Sequence, residues 1–286
     1  MSTVYKSSKF GIVAIVAVAA LVSLQTPSFA ASSAAAAQVP ASIKKTGVLT
    51  VGTDTTYAPN EYLDAKGNPV GWEIDLFKAI AADLGLKAHF VSANFDTIIP
   101  AIKGGKYDVG VSSFTDTKVR EAQVSFANYF TAGIQWASAV GKPVVDPNNA
   151  CGLTVAVQTG TTEVDDVNAK SAACTKAGKK AISVLSFDDQ NQVNNSVTLG
   201  RAAAISADSP ITEDAVHRSG GKLQLDGAIY GTAPYGIATA KGSTLVKAIS
   251  LALQDLYKNG TYGKILAKAG VSAGAVKSFT INGAVN

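Results

Sequence analysis

Arg120, the run Gly160-Thr161-Thr162 and Asp208 are the groups in this sequence best suited to holding a small ion pair. An arginine offers a planar, permanently charged fork that grips a carboxylate through two parallel hydrogen bonds. A Gly-Thr-Thr run that opens a helix offers free backbone N–H groups and the positive end of the helix dipole, which favour an anion. An aspartate accepts hydrogen bonds from an ammonium group. Carboxylate recognition beside ammonium recognition describes the backbone end of a free amino acid. Pattern alone leaves plainer readings open. Arg120 also fits an exposed side chain at a helix start, Asp54 and Asp208 fit turn caps, and Thr161 or Thr162 fits a helix N-cap.

These groups share a position. Each follows a short apolar run that reads as a strand, and open α/β sheets bind ligands outside the carboxyl ends of their strands. Asp54 and Tyr57 follow the run 48–52. Ser112, Ser113, Thr115 and Arg120 follow 107–111, Thr161 and Thr162 follow 153–157, and Asp208 follows Ile205. Between the strands lie helical patterns. Ile74, Phe77, Ile80, Ala81 and Leu84 recur at helical spacing over 73–84, and Leu245, Ile249, Ala252, Leu253 and Leu256 do so over 245–257. Residues 62–72 read as a hairpin turning at Lys66-Gly67-Asn68. Strands alternating with helices imply a mostly parallel α/β sheet. The pattern begins again near residue 153, so two α/β lobes are expected, with 132–142 and 231–241 as the crossings between them. The first lobe would take 43–137, the second 138–236, and 237–286 would return to the first lobe and end in a tail. Tyr57, Trp72 and Phe95 suit core packing as well as ligand stacking; ligand contact is expected of Tyr57 and Phe95, packing of Trp72.

The amino terminus sets the compartment. Lys6 and Lys9 precede an apolar run over 11–24, Pro27 breaks it, and Ser28-Phe29-Ala30 supplies the small residues a signal peptidase reads. A secretory signal peptide over 1–30, cleaved near Ala30, is expected, and the run is short for a membrane span. Removal leaves about 256 residues, enough for two domains. Residues 31–42 are expected to be a disordered Ala/Ser spacer. The formal charge falls from +4 to +2 on cleavage, because Lys6 and Lys9 are the only charged residues removed. No Lys/Arg cluster exists, which argues against a nucleic-acid partner. Cys151 and Cys174 are the only cysteines, and neither lies where a lipid anchor would attach. In an oxidising compartment the pair reads as one disulfide closing a loop of about 24 residues, with two buried thiols as the alternative. His89 and His217 are the only histidines, far apart, so no metal site and no cofactor is expected.

Five stretches together resemble the polar-amino-acid family of periplasmic solute-binding proteins that serve ABC transporters, bacterial extracellular solute-binding protein family 3. They are Val51-Gly-Thr-Asp-Thr-Thr-Tyr-Ala-Pro, Gly71-Trp-Glu-Ile-Asp-Leu, Ile99-Pro-Ala-Ile-Lys-Gly-Gly-Lys-Tyr-Asp-Val, the stretch from Ser112 to Arg120, and Val157-Gln-Thr-Gly-Thr-Thr. They occur in family order across about residues 43–270. The resemblance implies a two-lobed type II periplasmic-binding-protein fold that closes over its ligand. It places the carboxylate-binding arginine on Arg120, helped by the backbone near Thr115 and Thr162. It places the ammonium-binding acid on Asp208, with Ser113 and Thr115 nearby, and the aromatic lid on Tyr57 and Phe95. Asp54 matches an acid that meets basic or amide side chains. Ser112 and Thr161 belong to the same strand ends.

Two departures stand out. Asn60 occupies a place where members commonly have Phe, and Glu163 follows Thr162 where many have Gln. With Asp54, both lean toward a polar or cationic ligand side chain. The implied function is binding of a free amino acid in the periplasm by a monomer, which hands it to the membrane subunits of an ABC transporter without inserting in the membrane. Catalysis is not expected, because every cleft group already has a role in holding an amino acid. A sensor subunit that reports ligand to a membrane partner shares all these features.

Overall fold

The computed structural model describes residues 1–4 and 33–285, so most of the expected signal peptide lies outside the described residues. Over its described part, 33–42, the expected disordered spacer is corrected. Ser33–Ala37 forms helix α1 and Ala41–Thr46 forms helix α2. Ala35 and Val39 are 0% and 4% exposed and belong to the core of the first lobe. Alanine is the strongest helix former, and its small side chain allows close packing against a neighbouring helix. A low-complexity composition concealed that packing surface.

The first lobe continues with β1 (Val48–Thr53), then the short strands β2 (Thr56–Tyr57), β3 (Glu61–Leu63) and β4 (Pro69–Val70). The turn between β3 and β4 is organised by Asp64, whose Oδ1 accepts from the N–H groups of Lys66 and Asn68 at 2.8 Å. Helix α3 (Trp72–Asp83), β5 (Lys87–Ser92), α4 (Phe95–Lys103), β6 (Val109–Gly110) and the single turn α5 (Lys118–Glu121) follow. The chain then runs through a 16-residue strand, β7 (Val124–Ala139), into the second lobe. That lobe holds β8 (Thr154–Gln158), α6 (Thr162–Lys176), β9 (Ser183–Phe187), α7 (Gln190–Thr198), β10 (Ala204–Asp208) and α8 (Ser209–Arg218). An 18-residue strand, β11 (Leu223–Ala240), leads back to α9 (Leu245–Lys258) and α10 (Thr261–Ala269).

Eight strands form one sheet in the order β5-β1-β6-β11-β7-β10-β8-β9. β1 pairs in parallel with β5 and β6, and β8 pairs in parallel with β9 and β10. The long antiparallel pair β7–β11 sits between these two sets and is the only strand pair common to both lobes. Its register shifts between Asp226 and Tyr230 and again between Tyr230 and Ala233, which bends the ribbon where it passes from lobe to lobe. The cores locate the crossing. Ala132, Tyr235 and Ile237 pack in the first lobe, while Ile134 and Trp136 pack in the second with Tyr230 against them. The boundaries therefore fall at 132–134 and 230–235, a few residues before those expected at 137/138 and 236/237. Polar and apolar residues are mixed along both strands, so composition gives no mark at the crossing.

Cys151 and Cys174 form the disulfide, with their Cα atoms 5.6 Å apart and a sequence separation of 23. It pins the end of α6 to the segment before β8, away from the strand ends that face the other lobe. The Cys151→Ser, Cys174→Ser double variant should lose about 3 kcal/mol of stability in the loop-entropy account and keep its ligand affinity. Urea unfolding of the two proteins measures the first, and titration calorimetry the second. Equal unfolding midpoints would contradict it.

Candidate functional site

The carboxyl ends of β1 and β6 face those of β8 and β10 across a narrow, closed cleft with a free volume of about 10 Å³. Eight residues expected from the sequence line it: Tyr57, Phe95, Ser113, Thr115 and Arg120 from the first lobe, and Thr161, Thr162 and Asp208 from the second. Arg120 is fixed from three sides. Thr117 caps its helical turn, accepting from the Arg120 N–H at 3.2 Å. Its Nη1 donates to the Thr115 carbonyl at 2.8 Å, and its Nη2 donates across the cleft to the Gly160 carbonyl at 3.0 Å. The guanidinium carbon lies 5.2 Å from the Phe95 ring centre and 5.8 Å from that of Phe114. Those two rings stack at 4.7 Å, giving the cation an aromatic floor. Burial pulls the arginine pKa down while Glu163, Asp208 and Asp165 push it up, and the group stays charged.

Gly160 has φ +78°, and a Cβ there would lie 2.8 Å from the Cβ of Asp96 in the opposite lobe. Glycine thus permits both the turn and the approach of the lobes. Thr161 makes no side-chain cap on α6. Its Oγ1 donates instead to the Gln158 carbonyl at 2.8 Å. Thr115 and Thr162 meet across the cleft, their hydroxyl oxygens 3.4 Å apart. Asp208 ends β10, and its Oδ2 accepts from the Tyr57 hydroxyl of the other lobe at 2.8 Å. Burial raises Asp208 to about 6, against the lowering effects of the Tyr57 hydrogen bond and the Arg120 charge.

Three expected contacts stand behind the wall of the cleft. Asp54 is held by the Thr56 N–H at 2.9 Å and hydroxyl at 2.8 Å, and by Gln158 Nε2 at 2.5 Å. Asn60 is fully buried, accepting from Trp72 Nε1 at 2.6 Å and donating to Ser113 Oγ at 2.8 Å. Ser112 Oγ accepts from the Asp54 N–H at 3.0 Å and donates to Glu61 at 3.2 Å. The polar Asn60 therefore does not open a polar wall; it anchors Ser113 from behind. Trp72 packs on Tyr129 and Phe130, as expected.

Four functional side chains went unassigned in the sequence. Gln158 and Glu163 line the cleft, 2% and 1% exposed, and each has one oxygen without a partner: Gln158 Oε1 and Glu163 Oε1. Gln158 is the last residue of β8 and satisfied the strand-end rule. Glu163 is expected from the sequence to lean the cleft toward a polar or cationic ligand side chain, without being assigned a contact. Burial and the Asp208 charge raise Glu163 to about 8. Glu61 and Glu73 form a buried acid pair beneath the serines. Glu73 accepts from the Ser113 N–H at 3.0 Å and hydroxyl at 2.8 Å, holding Ser113 at a left-handed φ of 49°. Burial raises both glutamates, Glu61 strongly. No pattern in the sequence marks them as inward-facing. Among the described residues no group of three or more His, Cys, Asp or Glu is placed to hold a metal ion.

The profile of bacterial extracellular solute-binding proteins, family 3, matches residues 49–271. The chain belongs to that family. Its family 3 relatives include the arginine-binding protein ArgT of Corynebacterium glutamicum, 39% identical over 248 residues that cover 86% of this chain and 82% of ArgT. The lysine/arginine/ornithine-binding periplasmic protein of Escherichia coli is 30% identical, over 89% of this chain and 95% of its own. An ancestral arginine-binding protein solved with arginine bound superimposes with a TM-score of 0.72 at 35% identity, covering 78% of this chain and 97% of its own. The family 3 assignment bears out the fold expected from the sequence, two α/β lobes around a solute cleft.

Proposed function

We propose that this family 3 protein binds a free cationic amino acid, arginine foremost, and passes it to the membrane subunits of an ABC transporter. The charge of the cleft carries this reading. Its wall holds one cation, Arg120, and two carboxylates, Asp208 and Glu163. The carboxylate and ammonium of any amino acid use one charge of each sign. The remaining carboxyl group, neutral while the cleft is empty, can ionise only beside a second positive charge on the ligand, since buried charges are tolerated only when paired. The names of the relatives support the same class, since both bind arginine and one also binds lysine and ornithine.

Closure follows from contacts that each lobe supplies in part. Arg120 meets the Gly160 carbonyl, Tyr57 meets Asp208, Gln158 meets Asp54, and the Gln190 N–H donates to Thr56 Oγ1 at 3.1 Å. A ligand held by Arg120 and Asp208 adds to that set and shifts the population toward the closed form. The transporter reads the closed pair of lobes. The lining groups suit holding an amino acid rather than moving protons at a reacting atom, which supports a carrier. The protein works as a monomer on the periplasmic side after cleavage near Ala30. No helix among the described residues is long and apolar enough to cross a membrane.

Titration calorimetry with arginine, lysine, histidine, citrulline and glutamine tests the reading. Arginine should bind at least tenfold more tightly than citrulline, its uncharged analogue of equal shape. Equal affinity for the two would contradict a cationic ligand.

A further inference from the structure

Glu163 is the cleft carboxylate that makes no hydrogen bond to the other lobe and no salt bridge, although the Arg120 charge acts on it from across the cleft. It is 1% exposed, at the second residue of α6, with Oε2 accepting weakly from Thr162 Oγ1 at 3.4 Å, its own N–H and the Thr161 hydroxyl near the carboxyl group, and Oε1 making no well-formed hydrogen bond. A fully buried carboxylate with an unused oxygen facing a ligand cleft is costly unless the ligand completes it. We propose that Glu163 sets the charge selectivity of the cleft: its carboxylate balances the second positive charge of a cationic ligand, so that such a ligand drives a proton off Glu163 as it binds. The proposal rests on the amino-acid reading above and goes beyond it, because it assigns charge discrimination to this residue and couples uptake to proton release.

The surroundings of Glu163 fix the sign. Arg120 approaches from α5 and is the one cation among them. Asp208 approaches from the end of β10, and Asp165 lies on the same helix turn. Tyr57 from β2 and Tyr230 from β11 also face it. Both phenols are raised above their usual range by burial and by neighbouring carboxylates, so both stay neutral. Tyr230 is itself tied to Asp166 at 2.7 Å. Burial and the nearby Asp208 charge hold Glu163 protonated up to about pH 8. A neutral amino acid pairs its carboxylate with Arg120 and its ammonium with Asp208, which brings no net charge to Glu163. A cationic ligand brings one positive charge more. The Glu163 O–H bond then breaks, its electron pair stays on the carboxylate, and the proton passes to buffer. Release occurs only where Glu163 begins protonated. It should approach one proton near pH 7, fall to about a quarter of a proton at pH 8.5 and vanish above about pH 9.5. Arginine affinity should accordingly rise close to tenfold between pH 6.5 and 7.5 and level off above about 9.5, while citrulline affinity stays flat.

The test is titration calorimetry of the mature protein at pH 6.5, 7.5 and 8.5. Two buffers of different ionisation enthalpy, with arginine and citrulline as ligands, count the protons released. The unaltered protein should release close to one proton with arginine at pH 7 and none with citrulline. Glu163→Gln, which keeps the shape, should bind arginine with no proton release and no pH trend. Its preference for arginine over citrulline should fall at least tenfold. Arginine binding without proton release in the unaltered protein would overturn the proposal, and so would proton release that persists in Glu163→Gln. The measurement on the unaltered protein decides the point even where the variant folds poorly. Failure to bind any amino acid would instead overturn the reading beneath it, and this proposal with it.

Discussion

Arg120→Ala should weaken the binding of every amino acid by about 4 kcal/mol, roughly a thousandfold, and leave the fold intact. The expected loss is large because the guanidinium is positioned before ligand arrives. Within its own lobe one N–H group is already spent on the Thr115 carbonyl and its face rests on Phe95, while a second N–H takes up the Gly160 carbonyl of the other lobe on closure. The remaining donors meet the ligand carboxylate with little further ordering. Arg120→Lys should not restore the affinity, since a point charge cannot reproduce two parallel hydrogen bonds. The loss should be general. Both ligands lose the partner of the same α-carboxylate, and arginine should lose somewhat more, because Arg120 also favours the ionised form of Glu163. Calorimetry checks both points, and circular dichroism checks that the variant is folded. Binding within threefold of the unaltered protein would show that the carboxylate site lies elsewhere.

Asp208→Asn should cost about 3 kcal/mol of binding, more than a hundredfold, again for every amino acid. The amide can still accept from Tyr57, so the bridge between lobes survives. What disappears is the negative charge that meets the ligand ammonium. The same residue sets a pH limit. Asp208 must be ionised to pair with the ammonium, and burial raises it to about 6. Binding of an uncharged ligand such as citrulline should therefore weaken as pH falls below about 6, approaching tenfold per unit. Asp208→Asn should show no such trend. A citrulline affinity unchanged from pH 7 to pH 4.5 would contradict the role given to Asp208.

Strand ends located the cleft because a parallel sheet always presents the same edge, whatever its sequence. Arg120, Thr162 and Asp208 follow three different strands, and the fold brings them to one cavity. The direction of neighbouring side chains was not legible in the same way. Ser112 and Ser113 are adjacent and chemically identical, yet only Ser113 reaches the cleft, while Ser112 turns back to Glu61. Asn60 read as a change in the ligand wall, but its amide is consumed by Trp72 and Ser113. Asp54 read as a ligand contact, but Gln158 from the other lobe stands before it. Such contacts belong to the closed arrangement of two lobes, which no local pattern encodes. The amino-terminal helices were missed for a related reason. Helix α1 packs on α9, more than 200 positions away in the chain, and Ala35 and Val39 join the first-lobe core there.

Small-angle X-ray scattering of the mature protein, with and without saturating arginine, tests the central claim most directly. Arg120 and Asp208 belong to different lobes, so a ligand that joins them must draw the lobes together. The account predicts a smaller radius of gyration with arginine, and no change when arginine is added to Arg120→Ala. An unchanged radius in the unaltered protein, at arginine concentrations that calorimetry shows to be saturating, would contradict closure over the ligand.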